Sequence, residues 1–118
     1  MAELTTARLG DVFDLLVHPY RRYVLYYLTH ESEVVTIDTL ATAIYKWDRD
    51  ETKADWGAKS KDVEASLRHI HLPKLADAGI ILFDTNADSI ELKETGQIDK
   101  FVKHMAHIDS YTETAAHD

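Results

Sequence analysis

Apolar positions recur every three or four residues through most of the chain, the spacing that lines one face of a helix. Leu9, Val12, Phe13 and Leu16 predict a first helix from about Thr6 to Val17. His18-Pro19 breaks it, and proline suits the first position of a new helix because its missing N–H has no partner there anyway. That second helix, Pro19 to Thr29, turns Tyr23, Val24, Tyr27 and Leu28 inward. Val34-Val35 reads as a short extended link. Thr36 then caps a third helix, and Asp38 in its first turn complements the helix dipole. This helix runs to Tyr45 or Trp47 and buries Ile37, Leu40, Ala41 and Ile44.

Residues 48–57 carry charge without an apolar period, a long connection for a compact helical domain. Beyond it Ser60 caps a fourth helix, with Val63, Leu67, Ile70 and Lys74 or Leu75 on its inner side. Pro73 lies within this pattern and should kink it or start a new turn. Ala78-Gly79 is a helix stop. Ile80 to Asp84 and Ser89 to Lys93 alternate as strands about the turn Thr85-Asn86-Ala87-Asp88. A last helix begins near Thr95 and runs to about Tyr111, with Ile98, Phe101, Val102, Met105 and Ile108 as its stripe. The fold class is therefore mainly α with a small β-hairpin. A helical pair followed by a two-stranded hairpin is the arrangement of a winged helix-turn-helix: the helix before the hairpin reads, and the hairpin is the wing. Residues 1–94 form that domain, and residues 95–118 add a C-terminal helix and a short tail.

Composition narrows the chemistry. The 118 residues suffice for one domain that buries roughly two-thirds of its unfolded surface. There is no cysteine, which excludes disulfides, thiolate zinc sites, iron–sulfur clusters and thiol redox sensing. No apolar run approaches the ~20 residues that span a bilayer, and the N-terminus lacks a signal-peptide pattern; a cytoplasmic protein with no membrane partner is expected. A Gly-rich phosphate loop, a nucleophile elbow and an HExxH motif are all missing, so neither an enzyme nor a cofactor is expected. Thirteen Lys and Arg face 21 Asp and Glu, a formal net charge of −8. Such a balance ordinarily argues against a nucleic-acid partner. The excess is uneven, however, and residues 59–83, around the fourth helix, are the one net-positive segment.

Two stretches resemble a known family. Pro19-Tyr20-Arg21-Arg22-Tyr23-Val24-Leu25-Tyr26-Tyr27-Leu28 is similar to the second helix of small haloarchaeal winged helix-turn-helix transcription regulators of the oxidative-stress type. His69-Ile70-His71-Leu72-Pro73-Lys74-Leu75-Ala76-Asp77-Ala78-Gly79-Ile80-Ile81 is similar to the end of their recognition helix and its passage into the wing. The resemblance covers roughly residues 9 to 95. It implies a dimeric, DNA-binding, stress-responsive regulator in a salt-rich cytoplasm, with inorganic ions as partners and a reason for the acidic surface. The wing departs from the usual pattern: Asp84, Asp88, Glu91 and Glu94 stand beside a single basic residue, Lys93.

The candidate DNA-binding residues follow from helical spacing. With Val63, Leu67 and Ile70 inward, Lys61, Ala65, Arg68 and His69 face out, and Glu64 lies on the flank. Arg68 can donate two hydrogen bonds to guanine, Glu64 can accept from cytosine, and Ala65 can touch a thymine methyl. Lys59 and Ser60 stand at the expected N-terminal end of the helix, where backbone N–H groups suit a phosphate. Lys53 in the charged loop and Asn86 and Ser89 at the wing tip complete the set. Most of the loop reads as a mixed-charge surface with Trp47 or Trp56 tucked over the core. Arg21 and Arg22 are open to either a phosphate contact or an ion pair with Asp11 or Asp14.

The last helix has a stripe close to the coiled-coil period, and after a wing it has little core left to cover. A homodimer is therefore expected, with Leu4, Leu9, Val12 and Phe13 of the first helix joining Ile98, Phe101, Val102, Met105 and Ile108 in the interface. A two-fold dimer implies double-stranded DNA with a pseudo-palindromic site. His104-x-x-His107, with His117 beyond, has a spacing compatible with a metal-sensing repressor, although no carboxylate partner accompanies it. No metal site is assigned on that basis. An oxidant would have to act through Met1 or Met105, a bound ion or another protein. A protein-interaction module is the remaining alternative, and the acidic wing fits it.

Overall fold

A computed structural model describes residues 6–48, 56–93 and 99–109. The expected Leu4, Lys53, Ile98 and His117 lie outside these residues. The described elements are α1 (Thr6–Leu15), α2 (Pro19–His30), β1 (Val34–Thr36), α3 (Ile37–Asp48), α4 (Trp56–Ser66), α5 (Leu72–Asp77), β2 (Ile81–Asp84), β3 (Ser89–Leu92) and α6 (Asp99–Ile108). The protein is mainly helical, with one small antiparallel sheet in the order β1-β3-β2.

Local signals set most of the boundaries. His18 caps α2, its Nδ1 accepting the Tyr20 N–H at 3.1 Å, with Pro19 in the first turn. Thr36 Oγ1 accepts the Thr39 N–H at the start of α3. α5 ends in a Schellman motif. Gly79, at φ +80°, donates to the Ala76 carbonyl, and Ile80 N–H donates to that of Leu75. Only glycine enters that conformation without cost.

The core forms around α2, whose Val24, Leu25, Tyr26 and Leu28 are all buried. Ile37, Leu40, Ala41 and Ile44 of α3 meet them, with Val63 and Leu67 from α4 and the turn after it, and Leu72 and Leu75 from α5. The sheet lays Val35, Ile90 and Phe83 side by side toward this core. Its other face carries Val34, Glu91 and Leu82 in one exposed row.

Four expectations are corrected. Val34-Val35 is not a bare link but part of β1, which pairs with β3 through Val34↔Glu91 and Thr36↔Ser89. α4 starts at Trp56, four residues ahead of Ser60, and packs against α3. Between α4 and α5, Leu67–His71 is a π-helical turn. The wider turn inserts one residue into the helical count, so the inner stripe passes from Leu67 to His71 and Leu72, and Ile70 is turned out to 49% exposure. Pro73 follows directly and has no N–H to close an ordinary turn.

The fourth correction concerns α6. It packs on α2 and places Val102 and Ala106 in the chain's own core, so there was core left for it to cover. Val12 and Val102 are fully covered within the chain and offer nothing to a second copy. Phe101 and Met105 are partly buried against the same core. Phe13 and Ile108 remain exposed, at 49% and 66%.

Candidate nucleic-acid interface

α4 presents Lys61, Glu64 and Ala65 at positions i, i+3 and i+4, and Arg68, in the π-helical turn that follows, extends that face by pairing with Glu64. Lys61, Ala65 and His69 are exposed, and Glu64 and Arg68 are partly so. Ser60 lies inside α4, not at its tip. The expected phosphate seat at Ser60 and Lys59 is thereby lost, because backbone N–H groups are unpaired only in the first turn, which begins at Trp56.

Arg68 is already engaged. Its Nη1 donates to Asp88 Oδ1 at 2.8 Å and its Nη2 to Glu64 Oε2 at 3.1 Å. The hydrogen bond to Arg68 holds the Asp88 carboxyl below its ordinary range, and the positive charge adds to the effect. Glu64 faces Arg68 one turn along the helix and gives it Oε2, so a cytosine contact through that oxygen would compete with this pair.

The wing tip is tightly turned. Asp84 Oδ1 accepts the N–H groups of Asn86 and Ala87, the side-chain-closed turn that aspartate favours. Asn86 is exposed at the tip. Ser89 opens β3 opposite Thr36 and Asp84, on the outer face of the sheet. The structure thus brings Arg68 and the wing together through Asp88, a residue that the sequence marked only as an acid. The signal was 20 residues away and depends on the turn geometry.

Arg21 and Arg22 are occupied elsewhere. Arg21 donates to the Leu15 and Asp14 carbonyls and to His71 Nδ1 at 2.9 Å. Arg22 donates to the Leu16 and Val17 carbonyls and to Asp109 Oδ2 at 2.8 Å. Both satisfy the unpaired carbonyls at the end of α1, where cations are favoured. Neither pairs with the carboxylate of Asp11 or Asp14, and neither is free for a phosphate. His71 is buried, and burial, with neighbouring His18, Arg21 and Lys74, pushes it down to about 4.

His104 and His107 are both exposed on α6. Among the described residues, no group of three or more His, Cys, Asp or Glu side chains is placed to hold a metal ion. Also among them, no helix is long and apolar enough to cross a membrane.

Residues 13–91 match the model of a family described as a domain of unknown function, DUF7344. The chain belongs to the DUF7344 family. The DUF7344 match takes in Glu64, Arg68 and Asp88 and stops before α6. No curated protein and no solved structure matches the chain.

Proposed function

We propose that this chain is a winged helix-turn-helix regulator that binds double-stranded DNA in a sequence-selective way as a homodimer. The observation that carries the reading is the order α2-β1-α3-α4-α5-β2-β3 with the sheet order β1-β3-β2, which sets the hairpin tip against Arg68 in the turn just after α4. In this reading α4 enters the major groove, with Arg68 on guanine, Ala65 beside a thymine methyl, and Lys61 and His69 along the edge. Asn86 at the wing tip follows the backbone. Phe13 and Ile108 supply exposed apolar surface for the second copy. A two-fold pair would read half-sites about one helical turn apart. The resemblance adds the setting, an oxidative-stress response in a salt-rich cytoplasm.

Fluorescence anisotropy with fragmented genomic DNA in molar-range KCl tests this reading. Selective binding is expected, with Arg68→Ala costing about 1–3 kcal/mol and relaxing selectivity at one base pair. Lys61→Ala should weaken binding to all sequences alike. No binding, or binding indifferent to both substitutions, contradicts the reading. That outcome favours a protein-interaction module, for which the exposed row Val34, Glu91 and Leu82 on the outer sheet face is the surface to test.

A further inference from the structure

The wing reaches the α4 face through one residue. Asp88 closes the hairpin turn at φ +53°, a left-handed conformation that Asp and Asn tolerate better than other side chains. Its carbonyl accepts the Ile37 N–H at 2.9 Å, which ties the turn to the start of α3. So anchored, it sets its carboxylate on Arg68 Nη1 while Glu64 takes Nη2. Two carboxylates on one guanidinium leave the cluster with negative charge in excess.

We infer that Asp88 is a specificity-determining residue that keeps Arg68 off the phosphate backbone until a matching base edge is offered; this rests on the DNA-binding reading above. An unpaired arginine at a duplex surface binds any phosphate, and a phosphate contact carries no sequence information. Asp88 and Glu64 offer Arg68 charge-assisted hydrogen bonds of the same kind that a phosphate would. On a wrong sequence, therefore, Arg68 gains nothing by leaving them. A guanine edge presents O6 and N7 together, two neutral acceptors that the three N–H donors left over by Asp88 and Glu64 can take up in the groove without giving up either carboxylate. The excess carboxylate also repels phosphates that come near without a base contact, an unfavourable element set against wrong partners. Asp88 thus sharpens discrimination without itself touching a base.

Asp88→Asn and Asp88→Gly test this, since both residues accept a positive φ and preserve the turn while removing the charge. Affinity is measured by anisotropy for a duplex enriched from a random library and for a scrambled duplex of equal length, each variant with and without Arg68→Ala. Urea melts check that each variant is folded. Both Asp88 variants should tighten binding to the scrambled duplex by about fivefold, the upper range for a partly exposed ion pair. Binding to the enriched duplex should change by less than about twofold, so that the ratio of the two falls. With Arg68→Ala already in place, the Asp88 substitution should shift the ratio no further. An unchanged ratio overturns the inference and leaves the DNA-binding reading standing. So does an equal fall in the Arg68→Ala background, which would mark a general charge effect. Failure of the wild type and both Asp88 variants to bind any duplex overturns that reading and the inference with it.

Discussion

Arg22 and Arg68 each meet an aspartate at 2.8 Å, yet their surroundings are opposite. Arg22 and Asp109 are both 22% exposed and balance in charge. The remaining donors of Arg22 go to the Leu16 and Val17 carbonyls, and Asp109 Oδ2 also accepts the Tyr26 hydroxyl at 2.6 Å. Burial raises the Tyr26 hydroxyl far above its ordinary value, and the hydrogen bond to Asp109 adds to the rise, so it stays a donor. Burial alone would raise the Asp109 carboxyl, but its bonds to Arg22 and Tyr26 together bring it below the ordinary range. This cluster is closed: it ties the end of α1, the middle of α2 and the end of α6 into one unit. The Arg68 cluster is open, with two carboxylates for one cation and Asp88 at 48% exposure. A closed cluster holds a fold together. An open one on a helix face can exchange a partner at small cost, which is what a reading side chain requires.

The largest expected effect breaks the closed cluster. Asp109→Ala leaves the buried Tyr26 hydroxyl without its acceptor and Arg22 without its counter-charge. Stability in urea melts should fall by about 2–3 kcal/mol, a large part of what holds a domain of this size. A loss below about 0.5 kcal/mol would mean that α6 is not integral to the domain.

Next comes His71, which is bonded to Arg21 and shares its π-helical turn with Arg68. Arginine can only donate, so His71 Nδ1 must be the acceptor and the neutral ring carries its proton on Nε2. The folded protein resists protonation down to about 4, whereas the unfolded chain takes up a proton near 6.5. Between those values the unfolded state binds more protons, so stability falls as pH drops through that window and is unaffected above it. His71→Gln should flatten the profile there, measured by urea melts from pH 7 to pH 4. The depressed Asp109 contributes stability that is present above the ordinary carboxylate range and lost at lower pH still, which separates the two.

The smallest effect on stability belongs to the open cluster. Arg68→Ala should leave the urea midpoint close to that of the wild type, since exposed ion pairs contribute little. A cost equal to that of Asp109→Ala would erase the contrast.

What was legible in the sequence was local. His18-Pro19, Thr36 and Ala78-Gly79 mark their boundaries through their own backbone preferences, and all three stand where expected. The hairpin strands likewise follow from alternation and a turn. What was not legible depended on distant partners. Three residues of β1 become a strand only because β3 arrives beside them. The π turn at Leu67–His71 moved Ile70 out and His71 in, and periodicity alone assumes an unbroken helical count. The stripe of α6 was visible, but whether it faces its own core or a second copy is not encoded in the spacing; Val102 and Ala106 face the core. The outward face of α4 and the turn after it was readable, with Lys61, Ala65 and Arg68, yet its coupling to Asp88 was not. Arg22 and Asp109 stand 87 residues apart, beyond any local rule.

The most direct test follows the arginine side-chain Nε–H resonances by NMR as a binding duplex is titrated in. The chain has five arginines, so the signals of Arg22 and Arg68 can be assigned by substitution. The Arg68 signal is expected to move with saturation of the duplex while those of Arg21 and Arg22 stay in place. A duplex that binds and shifts Arg21 or Arg22, or leaves Arg68 unmoved, would contradict that expectation.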